Sequence, residues 1–131
     1  MKLVIADDNV GFLKRLGSML STISGIDIVG EAQNVPDAIQ VIRSAKPDVA
    51  ILDLNMPGGS GIDVLRAVRS RTSAPVTIVL TIGSRSEYQA RCISAGADYF
   101  FEKSSDLRNM ILVLKELAAT RAKGVLKRRA V

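Results

Sequence analysis

The chain has 131 residues, 47% of them hydrophobic and 24% charged, which suits one globular domain with a single core. It holds one cysteine and no histidine. That excludes a disulfide framework, a zinc centre and any Ser-His or Cys-His nucleophile, so a bound metal must be a hard cation held by oxygen. The formal charge of +5 is concentrated at one end: Arg121, Lys123, Lys127, Arg128 and Arg129 stand in an acid-free stretch, and residues 1–120 balance thirteen bases against thirteen acids. A neutral body weakens a whole-domain nucleic-acid reading. No apolar run approaches the roughly 18 residues of a membrane span, and Asp7-Asp8 interrupts the first run too early for a signal peptide. The expected location is the cytoplasm.

Strand and helix patterns alternate along the chain. Residues 2–6 predict a first strand that ends in Asp7-Asp8. A helix follows from 9 or 10 to 23, with Leu13, Leu16, Leu20 and Ile23 at helical spacing. Gly25 ends it, and 26–31 predicts the second strand. Asn34 and Pro36 mark the next helix start, Asn as cap and Pro in the first turn. Its core stripe is Ala38, Val41, Ile42 and Ala45. Beyond Pro47 the uncharged run from Val49 to Leu52 predicts a strand over 48–53, buried on both faces, with Asp53 at its exit. The loop after it carries Pro57, Gly58, Gly59 and Gly61, so the third helix, over 60–70, starts no earlier than about Ser60. It buries Ile62, Leu65 and Val68. Pro75 introduces a fourth strand over 76–80, and a helix over 84–95 follows, with Cys92 in the core and Gly96 closing it. Residues 97–102 predict a fifth, aromatic strand. The last helix covers 106–120, with Leu107, Met110, Ile111, Leu114, Leu117 and Ala118 on one face and Ser104 or Ser105 as its cap. The domain is thus 1–120, and 121–131 is a basic tail that reads either as a solvated helix extension, weakened by Gly124, or as a grip for an acidic partner or nucleic acid.

Five strand–helix units imply an α/β fold, a doubly wound parallel sheet with helices on both faces. Ligands of such sheets bind beyond the carboxyl ends of the strands. Those ends carry Asp7, Asp8, Asp53, Thr81 and Lys103. Singly, the paired acids would be a strand-end turn, Thr81 a turn residue and Lys103 a solvated charge. Together they are the parts of a phosphoryl-transfer site. Two like charges about 4 Å apart in a partly buried site repel by roughly 4 kcal/mol, so three carboxylates need a counter-charge. Mg²⁺ suits an oxygen-only site with a phosphate partner. A carboxylate can act as nucleophile, and a Lys and a Thr hydroxyl can stabilise the transferred oxygens. The stretch from Gly58 to Gly61 has no following Lys-Ser/Thr and is no P-loop.

The paired acids Asp7-Asp8, the Asp53-x-x-Met-Pro57 run with its glycines, Thr81, the Gly96-Ala97-Asp98 turn and Lys103 occur in an order and spacing that resembles a response-regulator receiver domain of bacterial two-component systems, of the stand-alone type. The resemblance covers about residues 1–120. It implies the flavodoxin-like strand order 2-1-3-4-5, which sets strands one and three side by side. It also implies Asp53 as phosphoacceptor, and Asp8, Asp53 and the Asn55 backbone carbonyl as Mg²⁺ ligands with Asp7 acting through water. Thr81 and Phe100 would be the switch pair; by itself Phe100 reads as an ordinary half-buried strand aromatic. The implied donor is a sensor histidine kinase or a His-phosphotransfer protein, because the chain has no histidine of its own. Output would run to an unknown downstream protein through the face of helix four, strand five and helix five. Homodimerisation stays open, and no membrane partner is expected. The chain would be no enzyme beyond self-phosphorylation and self-dephosphorylation.

Two departures from the family pattern carry consequences. Ile82 stands after Thr81 where a small residue is usual, and its bulk would slow small phosphodonors and attacking water. Ser104 replaces the usual Pro after Lys103, which argues against the family's cis peptide, since a non-proline cis bond costs about 2.5–4 kcal/mol. Phe100 in place of Tyr also lacks a hydroxyl. Two other functions compete: a DNA-binding regulator, shortened or acting through the basic tail, and a metal-dependent phosphohydrolase. The second lacks an acid two residues beyond the nucleophile, where Asn55 stands.

Overall fold

A computed structural model describes residues 1–69, 74–82 and 86–122. Its elements run β1 (Lys2–Ala6), α1 (Val10–Ser21), β2 (Asp27–Ala32), α2 (Val35–Ala45), β3 (Val49–Asp53), β4 (Asn55–Met56), β5 (Gly59–Ser60), α3 (Gly61–Val68), β6 (Val76–Thr81), α4 (Ser86–Ser94), β7 (Tyr99–Glu102) and α5 (Leu107–Ala122). Five strands pair in parallel in the order β2-β1-β3-β6-β7, the expected 2-1-3-4-5 once the short β4–β5 ribbon is set aside. β3 is central and buried along its whole length, as its uncharged sequence requires.

Strand alternation divides the core into two layers. Leu3, Ile5, Val49, Ile51, Ile78 and Leu80 pack against Leu13, Leu16 and Leu20 of α1 and Met110 and Leu114 of α5. Val4, Ala50, Leu52 and Val79 face the other way, onto Ala38 and Ile42 of α2, Ile62 and Leu65 of α3 and Cys92 of α4. Each fully buried Leu or Ile contributes about 1.5–3 kcal/mol of transfer free energy. Helices α1 and α2 start at asparagine caps: Asn9 Oδ1 accepts from the Phe12 amide at 3.0 Å, and Asn34 Oδ1 from the Asp37 amide at 2.8 Å.

Four details depart from or refine the sequence reading. Ile23 lies beyond the end of α1, yet it still packs into the core. The glycine-rich loop contains a small antiparallel ribbon in which Asn55 pairs with Ser60 and Met56 with Gly59. Neither Ser104 nor Ser105 caps α5. The Ser104 hydroxyl donates to the Glu102 carboxylate at 2.8 Å, while Asp106 precedes the helix and its carbonyl accepts from Met110. The Asp106 carboxylate reaches back to the Glu102 amide at 3.0 Å, satisfying a donor that β7 leaves unpaired at its end. Finally, α5 runs through Ala122, so a boundary at 120/121 falls in its last turn. Arg121 there pairs with Asp48 at 3.1 Å.

Residues 123–131 of the expected tail, Ser70 at the end of the third predicted helix and Ser84 at the start of the fourth lie outside the described residues. Among the described residues there is no cis peptide bond, Lys103–Ser104 included, and no helix is long and apolar enough to cross a membrane.

Candidate functional site

The same alternation that divides the core also sorts the site residues. Asp7 is in phase with Leu3 and Ile5, Asp53 with Val49 and Ile51, and Lys103 with Tyr99 and Phe101, all of which belong to the α1/α5 layer. Thr81 is in phase with Val79, and Phe100 pairs with Val79 in the sheet; both of these belong to the α4 layer. Asp7, Asp53 and the lysine therefore meet on one side of the sheet edge, with Thr81 and Phe100 on the other.

Carboxylate oxygens of Asp7, Asp8 and Asp53 lie within 4.8 Å of one another. Asp7 and Asp53 are buried, at 2% and 6% exposure, and Asp8 is open to solvent. Lys103 Nζ stands 2.5 Å from Asp7 Oδ2 and 3.6 Å from Asp53 Oδ2. Its backbone amide donates to the Thr81 carbonyl at 2.8 Å, which ties the lysine to the end of β6. Asp7 Oδ1 accepts from the Asn9 amide at 2.9 Å. Asp7 Oδ2 is buried and has no aligned hydrogen-bond donor, so its contact with the ammonium is an ion pair rather than a directed bond.

Burial, then the neighbouring Asp7 charge, pushes the Asp53 carboxyl up from 3.8 to about 6; Lys103 and the Asn55 amide pull it down less strongly, and Asp8 adds a smaller upward push. One ammonium against three carboxylates leaves two negative charges uncompensated. With oxygen as the only donor type, the cluster fits a hard divalent cation. Thr81 is buried, and its hydroxyl donates weakly to the Ile82 carbonyl at 3.4 Å. Ile82 is 78% exposed, and Asn55 is exposed beside the cluster on β4. Phe100 is half-buried in the α4 layer. The Gly96-Ala97-Asp98 turn lies at the opposite sheet edge, where Asp98 Oδ2 accepts from the Thr77 amide at 2.9 Å and the Gly96 carbonyl from the Thr77 hydroxyl at 3.1 Å. It anchors β6 and does not enter the site.

Sequence reasoning missed two contributors. A Cβ on Gly61 would lie 2.7 Å from the Asp53 carbonyl oxygen and 3.3 Å from Leu54 Cα, and the Gly61 amide donates to the Leu54 carbonyl at 2.8 Å. The third glycine of the loop thus lets α3 start directly on the backbone that carries Asp53. Gly61→Ala should lower stability by about 1–3 kcal/mol in denaturant unfolding, because neither backbone can yield freely. An unchanged midpoint would mean that the contact relaxes. Phe12 is the other omission: Lys103 Nζ sits 4.4 Å from its ring centroid.

A family model described as the response regulator receiver domain matches residues 3–115. The chain belongs to this family. Receiver domains carry phosphorylation-dependent signals from histidine kinases in two-component systems. The DNA-binding transcriptional activator DevR/DosR of Mycobacterium tuberculosis is 30% identical over 122 residues, covering 93% of this chain and 56% of that protein. Protein-glutamate methylesterase/protein-glutamine glutaminase 5 of Myxococcus xanthus is 36% identical over 108 residues, covering 82% of this chain and 31% of that enzyme. The chain therefore spans about half or less of the curated relatives it matches. Among solved structures, the signal receiver domain of a NarL response regulator from Mycobacterium tuberculosis superposes with a TM-score of 0.82 at 28% identity, covering 90% of this chain and 95% of that one.

Proposed function

We propose that this receiver accepts a phosphoryl group on Asp53 and signals by the change of charge that follows. The observation that carries the reading is the buried Asp53 carboxylate, clustered with Asp7 and Asp8 beneath the Lys103 ammonium at the carboxyl edge of the sheet. An Asp53 oxygen attacks the phosphorus of a phosphohistidine on a kinase or phosphotransfer protein. The P–N bond breaks, and the leaving imidazole takes a proton. Asp7, Asp8, Asp53 and the Asn55 carbonyl would hold Mg²⁺, which when bound offsets the negative charge of carboxylates and phosphoryl oxygens. Lys103 turns from Asp7 to one phosphoryl oxygen, and the Thr81 hydroxyl exchanges its weak bond to Ile82 for another. Thr81 and Phe100 share the α4 side of the sheet, so Phe100 can follow the space Thr81 vacates. That would bias the α4–β7–α5 surface toward its downstream partner. Exposed Ile82 hinders small donors and attacking water at the lip.

Incubation with Mg²⁺ and an acyl-phosphate donor, or with a phosphorylated histidine protein, should add one phosphoryl mass to the wild type and none to Asp53→Asn. A label that survives in Asp53→Asn, or a wild type that accepts nothing from either donor, refutes the reading. The similarity to a DNA-binding activator favours a second reading, in which the basic residues near the C-terminus grip DNA. Salt-sensitive DNA binding that disappears on deletion of residues 123–131 would support it. Arg121 should be left in place because it pairs with Asp48.

A further inference from the structure

We propose that Phe12 is a positioning residue for Lys103: its ring face binds the ammonium and holds it where a phosphoryl group on Asp53 arrives. The role rests on the phosphoacceptor reading; the contact does not. Four contacts form a closed circuit. Asp7 Oδ2 pairs with Lys103 Nζ at 2.5 Å, and Asp7 Oδ1 accepts from the Asn9 amide at 2.9 Å. Asn9 Oδ1 accepts from the Phe12 amide at 3.0 Å, and the Phe12 ring receives the Lys103 ammonium at 4.4 Å from its centroid. The carboxylate that pairs with the lysine thereby also fixes, through the cap of α1, the ring that covers the lysine.

The physical reason for an aromatic at this place is the nature of its attraction. A ring face attracts a cation through its quadrupole, within about 6 Å, and more strongly where water is excluded. The Lys103 side chain is only 11% exposed. Unlike a third acid, the ring adds no charge to repel an incoming phosphoryl group. When Lys103 leaves Asp7 for a phosphoryl oxygen, the ring goes on limiting where the ammonium can go. The competing view is that Phe12 is ordinary apolar cover, half-buried against the α1/α5 layer. Leucine would serve that purpose as well.

Phe12→Leu and Phe12→Tyr separate the two views. In metal-free wild type and in Phe12→Tyr, the Lys103 Cε protons should show an upfield ring-current shift by NMR, and Phe12→Leu should lose it. With Mg²⁺ and donor, Phe12→Leu should lower the maximal phosphorylation rate about 10-fold, which corresponds to about 1.4 kcal/mol. The half-saturating donor concentration and the calorimetric Mg²⁺ affinity should stay within about twofold, and Phe12→Tyr should keep the rate within about twofold. In a Lys103→Met background, Phe12→Leu should have no further effect on rate. An unshifted Lys103 signal in the wild type, equal losses in Phe12→Tyr and Phe12→Leu, or an undiminished Phe12→Leu effect without the lysine would each overturn the proposal. A shifted signal in a wild type that takes no phosphoryl group would sink the phosphoacceptor reading and the role built on it, leaving the contact.

Discussion

Asp53→Asn is expected to stabilise the metal-free protein at pH 7 by about 3 kcal/mol, or roughly 10 °C in Tm, while abolishing phosphorylation. The Asp53 carboxyl is raised from 3.8 to about 6 by burial and the Asp7 charge. Folding therefore tightens its hold on a proton. Between those two values the native state binds more protons than the unfolded chain, so this site's contribution to stability falls as pH climbs from about 4 to about 6. Above that the penalty is complete, and acidification through the window returns it. An amide has the shape of the neutral acid and escapes the penalty. Urea unfolding of wild type and Asp53→Asn at pH 7 and at pH 4.5 should show a gap that narrows at the lower pH. Mg²⁺ should act on the same repulsion: at 100 times its dissociation constant it adds about 2.7 kcal/mol to the wild type, and less to the amide. A gap that is absent at pH 7, or that widens on acidification, would contradict this account of the cluster.

Lys103→Met should cost about 3–5 kcal/mol, because it leaves Asp7 as a buried and uncompensated carboxylate. The side chain keeps a similar length and apolar volume, so lost packing is a small part of the change. Asp7 has no aligned hydrogen-bond donor on Oδ2 to fall back on. Adding Asp7→Asn should recover most of the loss by removing the charge that lacks a partner. Denaturant midpoints of the two single variants and the double variant measure this coupling. Additive effects, or a Lys103→Met protein as stable as wild type, would show that the ion pair is already neutralised by other means.

Much of the fold and of the site was legible because the polar residues stand at the ends of long apolar runs. Val49 to Leu52 could only be a strand covered on both sides, and Asp53 then had to emerge at its edge. Asp7, Thr81 and Lys103 followed by the same reasoning on neighbouring strands. The order that brings those strands together came from the family resemblance, not from residue spacing. Local rules failed where a tertiary partner made the choice. Serine and aspartate both suit a helix cap, and the unpaired Glu102 amide at the end of β7 engages Asp106. Strand pieces of two residues, such as Asn55–Met56 and Gly59–Ser60, are too short to show alternation. Phe12 lies outside the Leu13, Leu16, Leu20 stripe of the first helix, and only the fold brings Lys103, next after β7, over its ring. Arg121 looks like tail charge until α5 brings it to Asp48 at the far end of the sheet.

Asp53 as the acceptor is tested most directly by trapping the product at the residue level. The protein is phosphorylated with Mg²⁺ and a phosphohistidine donor, reduced with borohydride, digested and read by peptide mass. Homoserine is expected at position 53 and nowhere else. Homoserine at Asp7 or Asp8, or an unmodified residue 53 in protein that carries the phosphoryl mass, would contradict it.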